Sequence, residues 1–195
     1  IGLVASHGSV DLMRDGEDPQ IYKKDLGTNG LMWDVDGRLW CCQPSKNRVI
    51  RLEADATETV VTDKFEGAPY NQPNDITIDV AGRIYFSDPK YGPHEDLPQQ
   101  DDKGRPVEGV YRVDLDGTVT RVITHEVDRP NGVLITRDQK YLYVAGNNNS
   151  VKGGERKPFR FEVMDCCGTV LLETKTLVYD WGSSRGPDGM AEDVK

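Results

Sequence analysis

No run of about 18 apolar residues occurs anywhere in the 195-residue chain, so no segment reads as a membrane-spanning helix. Clusters of Lys and Arg are missing too. Charged residues make up 29% of the chain and the net charge is −9, which argues against nucleic acid and anionic membranes as partners. The acidity fits plain solubility or a cation-binding site. The opening Ile1-Gly2-Leu3-Val4 is too short for the apolar core of a secretory leader. With no initiating Met, the start of the chain assigns no compartment, and the expectation is a soluble protein of the cytoplasm or periplasm. No stretch holds a helical period over ten residues, so an all-β chain is expected.

Cysteine and histidine are scarce. The four cysteines come as the adjacent pairs Cys41-Cys42 and Cys166-Cys167, without the Cys-x2-Cys spacing of zinc sites. Neighbours in a strand point to opposite faces, so neither pair readily brings two sulfurs to one ion. Both pairs read as small buried hydrophobes in strands, with a disulfide between the pairs as the alternative. The three histidines have no nucleophile partner, and Ser87 lacks the glycine-flanked elbow of a serine hydrolase. His94 reads as a solvated loop residue, with a lid over a site as the other reading.

What the chain does have is repetition. Asn29-Gly30-Leu31-Met32-Trp33-Asp34-Val35-Asp36-Gly37-Arg38-Leu39-Trp40 is echoed by the stretch from Asn74-Asp75-Ile76 to Gly82-Arg83-Ile84-Tyr85. A further echo runs from Asn131-Gly132-Val133 to Tyr141-Leu142-Tyr143, and a fourth begins at Asp188-Gly189-Met190. The spacing of about 45–57 residues is that of one four-stranded propeller blade. Each copy reads as strand, Asp/Gly turn, strand. Two outer strands complete each copy: Arg48–Leu52 with Thr59–Thr62, Val110–Asp114 with Val119–Ile123, and Phe159–Met164 with Thr169–Val178. Residues 88–108 read as a long loop. Before Asn29 the pattern supplies two outer strands of an earlier blade, Ser9–Met13 and Gln20–Lys24. The expected organisation is therefore a partial β-propeller over 1–195. Outer strands occupy 1–28, blades occupy 29–72, 73–128 and 129–185, and a further blade begins over 186–195. Because a propeller closes to hide its edges, this count predicts a piece of a longer ring.

The innermost strand of a blade lines the central channel, and the residue before it lies at one mouth. Asn29, Asn74, Asn131 and Asp188 hold that position, three of them preceded by Pro73, Pro130 and Pro187. Asn and Asp before Gly are ordinary turn formers. Their recurrence in register points instead to oxygen donors converging on the axis, suited to Ca2+ or Mg2+, or to Mn2+ or Zn2+ with mixed ligands. Asp88 ends a second strand and reads either as a neighbour of that mouth or as a cap of the following turn.

Gln72-Pro73-Asn74-Asp75 with Gly82-Arg83-Ile84-Tyr85-Phe86-Ser87-Asp88-Pro89-Lys90-Tyr91-Gly92 resembles the signature of the gluconolactonase/regucalcin lactonase-like family. Arg129-Pro130-Asn131-Gly132-Val133 and Gly186-Pro187-Asp188-Gly189-Met190 resemble the next two signatures, in the same order. The resemblance implies a six-bladed propeller with one divalent cation, Ca2+ foremost, at the channel mouth. It implies Asn131 and Asp188 as ligands, Asp188 also as the proton-transferring residue, and Asn74 as a contact of substrate or water. Gln72 and Asn29 are candidates for substrate contact as well. Gln72 stands where the regucalcin-like branch has Arg, which points to the bacterial gluconolactonase branch. The family's Glu ligand, in a Glu-Gly-Pro-like step, has no match before Asn29. Glu17 lies in an outer-strand turn, and Glu66-Gly67-Ala68-Pro69 falls between blades. The implied activity is metal-dependent hydrolysis of a sugar lactone, a small-molecule substrate, with no indication of oligomeric state. The rival readings are a non-catalytic calcium-binding or scaffold propeller and a lactonase or esterase of other substrate, since one fold hosts many functions. A scaffold has no reason to repeat Asn or Asp at the axial position.

Overall fold

The computed structural model describes residues 2–6, 9–13, 16–18, 20–92, 97–164 and 166–193. His94 lies outside the described residues. The chain begins with a three-stranded antiparallel sheet of β1 (Gly2–Ser6), β2 (Ser9–Met13) and β3 (Gln20–Lys23). That is one strand more than the two expected from the repeat.

Three four-stranded antiparallel meanders follow. The first is β4 (Leu31–Trp33), β5 (Leu39–Gln43), β6 (Arg48–Leu52) and β7 (Glu58–Thr62). After it, β8 (Lys64–Phe65) and β9 (Ala68–Pro69) form a small hairpin. Its turn residues Glu66 and Gly67 have φ of 51° and 86°, the positive pair that tight two-residue hairpins require. The second meander is β10 (Ile76–Ile78), β11 (Ile84–Asp88), β12 (Gly109–Val113) and β13 (Val119–Ile123). The third is β14 (Pro130–Ile135), β15 (Tyr141–Asn147), β16 (Arg156–Met164) and β17 (Thr169–Leu177). Among the described residues no helix is long and apolar enough to cross a membrane.

The core lies between the sheets. Along β5, Leu39 and Cys41 join a cluster with Val10, Leu26, Ile50 and Leu52, while Trp40 and Cys42 join another with Tyr70, Ile76, Phe86 and Tyr111. Along β11, Ile84 and Phe86 face that second cluster, while Tyr85 joins a third with Val133, Leu142, Val144 and Phe161. The period-two alternation of a strand thus feeds two cores, one on each face. This is why all five residues of β5 and of β11 are buried. Sheets stacked face to face, with β4, β10 and β14 adjacent, make a β-propeller.

The Asp/Gly turns give several of the aspartates a structural role. Asp34 accepts bonds from the backbone N–H of Asp36 and Arg38, from Arg38 Nε and from Trp40 Nε1. Asp79 accepts from Ala81 and Arg83 N–H, Arg83 Nε and Tyr85 Oη. Asp101 does the same for Lys103 and Arg105 in the long loop. In the third repeat Thr136 takes the Asp position, and Gln139, at φ 61°, the Gly position. Short polar side chains that bond their own turn backbone favour such corners.

The cysteines divide. Cys41 and Cys42 are buried in β5 on opposite faces, as expected, but Cys166 and Cys167 are exposed in the turn between β16 and β17; none of the four is in a disulfide. The strand rule does not reach a turn, where neighbouring side chains can share a side, so the second pair is not the buried pair that its sequence suggests.

Candidate active site

Each innermost strand begins where the chain crosses from one sheet to the next. At Gly30, a Cβ would stand 2.7 Å from the Asn74 carbonyl oxygen, and Gly30 N–H donates to that oxygen at 2.6 Å. At Gly132, a Cβ would stand 2.1 Å from the Asp188 carbonyl oxygen. In these two repeats glycine is required by close backbone approach. The second repeat has Asp75 there. Its Oδ2 accepts from Val133 N–H at 2.9 Å, and Ser87 Oγ donates to the Asn131 carbonyl at 2.5 Å. Burial pushes the Asp75 carboxyl above the usual range despite the N–H groups of Val133 and Ile76. Each blade thus seats the axial residue of the next.

The result is one cavity of about 650 Å3, lined by Asn29, Asn74, Asn131 and Asp188 together with Tyr91, Asn147, Asn149, Ser150, Arg156, Ser183, Ser184 and Arg185. All four repeat-position residues therefore share one mouth. Asn74 and Asn131 are buried, whereas Asn29 and Asp188 are exposed. Gln72 is not among the lining residues. Its Oε1 accepts from Tyr91 N–H at 2.8 Å, and its own N–H donates to Asp88 Oδ1. It acts on the mouth by holding Tyr91.

Tyr91 also lines the mouth, a role that its place in the sequence motif does not reveal. Its hydroxyl accepts from Asn131 Nδ2, and its ring carries the Arg129 guanidinium at 5.5 Å. Burial pushes the phenol up to about 12, so it stays neutral. With Nδ2 engaged, the orientation of the Asn131 amide is set. Its Oδ1 is buried and has no hydrogen-bond partner. Buried acceptors are normally satisfied, and an unmatched amide oxygen on a residue that lines a polar cavity suits a cation. Asp88 is fully buried and caps the segment before its strand, accepting from Asn71 and Gln72 N–H at 2.8 Å each. It does not line the mouth, and among the described residues its carboxylate bonds Asn71 and Gln72 rather than the turn after it. Burial raises its carboxyl to about 8, outweighing the two donors.

The donor set is amide and carboxylate oxygen, the hard-ion type. No group of three His, Cys, Asp or Glu side chains gathers among the described residues, and the cavity instead draws its donors from Asn. Glu66 sits in the β8–β9 turn and does not line the mouth. The lining by Asn147, Asn149 and Ser150 escaped the repeat, although the polar run after β15 is a visible signal of it.

A propeller whose innermost strands deliver Asn and Asp to one polar mouth is the class of protein defined by this geometry. Residues 53–195 match the SMP-30/gluconolactonase/LRE-like region family, and the chain belongs to it. A gluconolactonase of Zymomonas mobilis is 28% identical over 168 residues, 86% of this chain and 47% of that protein. The chain thus spans about half the length of that curated relative. The structure of a gluconolactonase from Xanthomonas campestris superposes with a TM-score of 0.74 at 25% identity, covering 93% of this chain and 58% of that one. A calcium-binding protein, regucalcin, from Agrobacterium tumefaciens shares the fold at 13% identity and TM-score 0.58, over 84% of this chain and 49% of its own.

Proposed function

We propose that the protein hydrolyses a sugar lactone of the gluconolactone type at this mouth, with one divalent cation held by Asn131 and Asp188. The observation that carries the reading is the Asn131 Oδ1 atom, buried without a partner in a cavity it shares with Asn74 and Asp188. Family membership supports the same reaction class. Ca2+ fits the oxygen donors best, with Mg2+, Mn2+ and Zn2+ as competitors in titration.

When bound, such an ion supplies Lewis-acid polarisation of the lactone carbonyl. The remaining work falls to side chains. Asp188, exposed at the mouth, takes a proton from the attacking water. Asn74 holds the lactone or that water through its amide. Tyr91 keeps the Asn131 oxygen facing the cavity by engaging the amide nitrogen, and Gln72 and Arg129 keep Tyr91 in place.

The test is hydrolysis of glucono-1,5-lactone with and without chelator, alongside calorimetric metal titration. Asp188→Ala abolishes metal-dependent turnover, Asn131→Ala weakens metal affinity, and Asn74→Ala lowers turnover while metal binding persists. Chelator-resistant activity, or full activity in Asp188→Ala, refutes the proposal. Metal binding without hydrolysis of any lactone would favour the non-catalytic calcium-binding reading.

A further inference from the structure

The β16–β17 hairpin ends in two adjacent thiols, neither of which lines the mouth. Cys166 and Cys167 are both exposed and neither is in a disulfide, and their Sγ atoms lie 3.3 Å apart. The Cys167 and Gly168 N–H groups both donate to the Met164 carbonyl, at 3.2 and 2.8 Å, which pins the turn and holds the sulfurs together. Cys167 Sγ also lies 3.1 Å from Thr169 Oγ1.

The turn is docked on the neighbouring sheet. The Gly168 carbonyl accepts from Tyr85 Oη at 3.1 Å and Arg112 Nη1 at 2.8 Å. Gly168 has φ of 63°, and a Cβ there would stand 2.3 Å from Tyr85 Oη. The thiol pair therefore sits one residue from a contact that joins two blades.

We propose that Cys166 and Cys167 form a redox-active dithiol, closed to a disulfide by a low-molecular-weight disulfide of the glutathione class. The Cys167 thiolate attacks one sulfur of the oxidant. The oxidant's S–S bond breaks, and one thiolate leaves and takes up a proton. Cys166 then loses its proton and attacks the Cys167 sulfur, expelling the second thiolate. The two protein thiols lose two electrons and two protons, and the oxidant is reduced to two thiols.

Three observations favour this chemistry at this pair. Hydrogen bonding from Thr169, then from Cys166, holds the Cys167 thiol below its ordinary value, which raises the reactive thiolate fraction. Burial pushes the Cys41 thiol up to about 12 and Cys42 well above its ordinary value, so the strand pair is inert and serves as an internal control. Finally, adjacent Cα atoms lie about 3.8 Å apart, short of the ~4.4–6.8 Å that an unstrained disulfide spans. Closure must therefore reshape the turn, and strained disulfides are the readily reduced, regulatory kind. Oxidation loosens the Gly168 carbonyl from Tyr85 and Arg112.

The experiment equilibrates the native protein in buffers of rising oxidised-to-reduced glutathione ratio, followed by acid quench, denaturing alkylation and peptide mass spectrometry. The expected product is a peptide spanning residues 161–175 that has lost two hydrogens, resists alkylation and recovers with dithiothreitol, while Cys41 and Cys42 remain alkylatable thiols. Cys166→Ser retains the attacking thiol and stops at the glutathione adduct. Hydrogen exchange at 168–170 rises severalfold in the oxidised form and not in the serine variant. Wild-type protein in which both thiols stay alkylatable at the most oxidising ratio, or which yields only glutathione adducts or intermolecular dimers, overturns the proposal.

Discussion

Gly132→Ala tests whether the mouth depends on backbone seating as well as on its polar groups. The new Cβ would stand 2.1 Å from the Asp188 carbonyl oxygen, 3.1 Å from its carbonyl carbon and 3.3 Å from Gly189 Cα. Even a crowded 3.0 Å contact demands that the two segments part by about 0.9 Å. The neighbours at fault are backbone atoms, so no side chain can swing away to relieve the clash. Overpacking of this kind costs about 1–3 kcal/mol, and a displacement of about 1 Å from reacting groups can cost about 100-fold in rate. The expected result is a drop of roughly that size in kcat/KM for gluconolactone, and weaker metal binding, with the charge and hydrogen-bonding groups of the mouth intact. Gly189→Ala is the control, because a Cβ there meets nothing within 4 Å and the backbone needs no positive φ. Paired measurements of kcat/KM, metal affinity by calorimetry and urea midpoint separate the effects. A Gly132→Ala protein with wild-type activity and metal affinity would show that Asp188 is not seated by its neighbour.

Tyr91→Phe removes the acceptor of Asn131 Nδ2 and leaves a buried donor unsatisfied. It should destabilise the protein by about 1–3 kcal/mol and weaken metal affinity through misorientation of the amide, read by urea unfolding and calorimetry. Gln72→Ala, which releases the Tyr91 backbone, should reproduce part of the affinity loss without changing the charge of the mouth. Asp88 makes the protein pH-sensitive. Its folded-state value of about 8 exceeds the ordinary 3.8, so its full contribution is present below the unfolded value and is lost as pH rises through the folded one. The slope approaches about 1.4 kcal/mol per pH unit between roughly pH 4 and 8. Asp88→Asn turns one acceptor toward an N–H donor and lowers stability at pH 5, yet it flattens that slope. Equal slopes for the two proteins in urea unfolding from pH 5 to 7.5 would exclude a protonated Asp88.

The blades were legible because two local demands recur at fixed spacing. Asp34 and Asp79 close the hairpins with their own side chains, and Gly30 and Gly132 admit a neighbouring backbone, so each leaves its mark on the sequence. Strands β1 and β8–β9 carry neither mark and were missed. The convergence of Asn29, Asn74, Asn131 and Asp188 followed from register alone. Tyr91 and Gln72 did not, because they act through a loop that folds back on residues 19 and 40 positions away, and periodicity reports the faces of strands rather than the return paths of loops. For the same reason the alternation rule succeeded for Cys41-Cys42 inside β5 and failed for Cys166-Cys167 in a turn.

The turn aspartates also shape the electric field around the molecule. Asp34 and Asp79 follow β4 and β10, whereas Asn29 and Asn74 precede them, so these carboxylates stand at the far ends of the innermost strands from the mouth. Their charge is further spent on Arg38 and Arg83. Around the mouth the balance reverses, with Arg156 and Arg185 against Asp188 among the described lining residues. The net charge of −9 is therefore a poor guide to what an approaching solute meets. A small anion arriving at the mouth meets two guanidinium groups and one carboxylate among the described lining residues. That contrast fades once added salt shortens the Debye length to about 3 Å near 1 M.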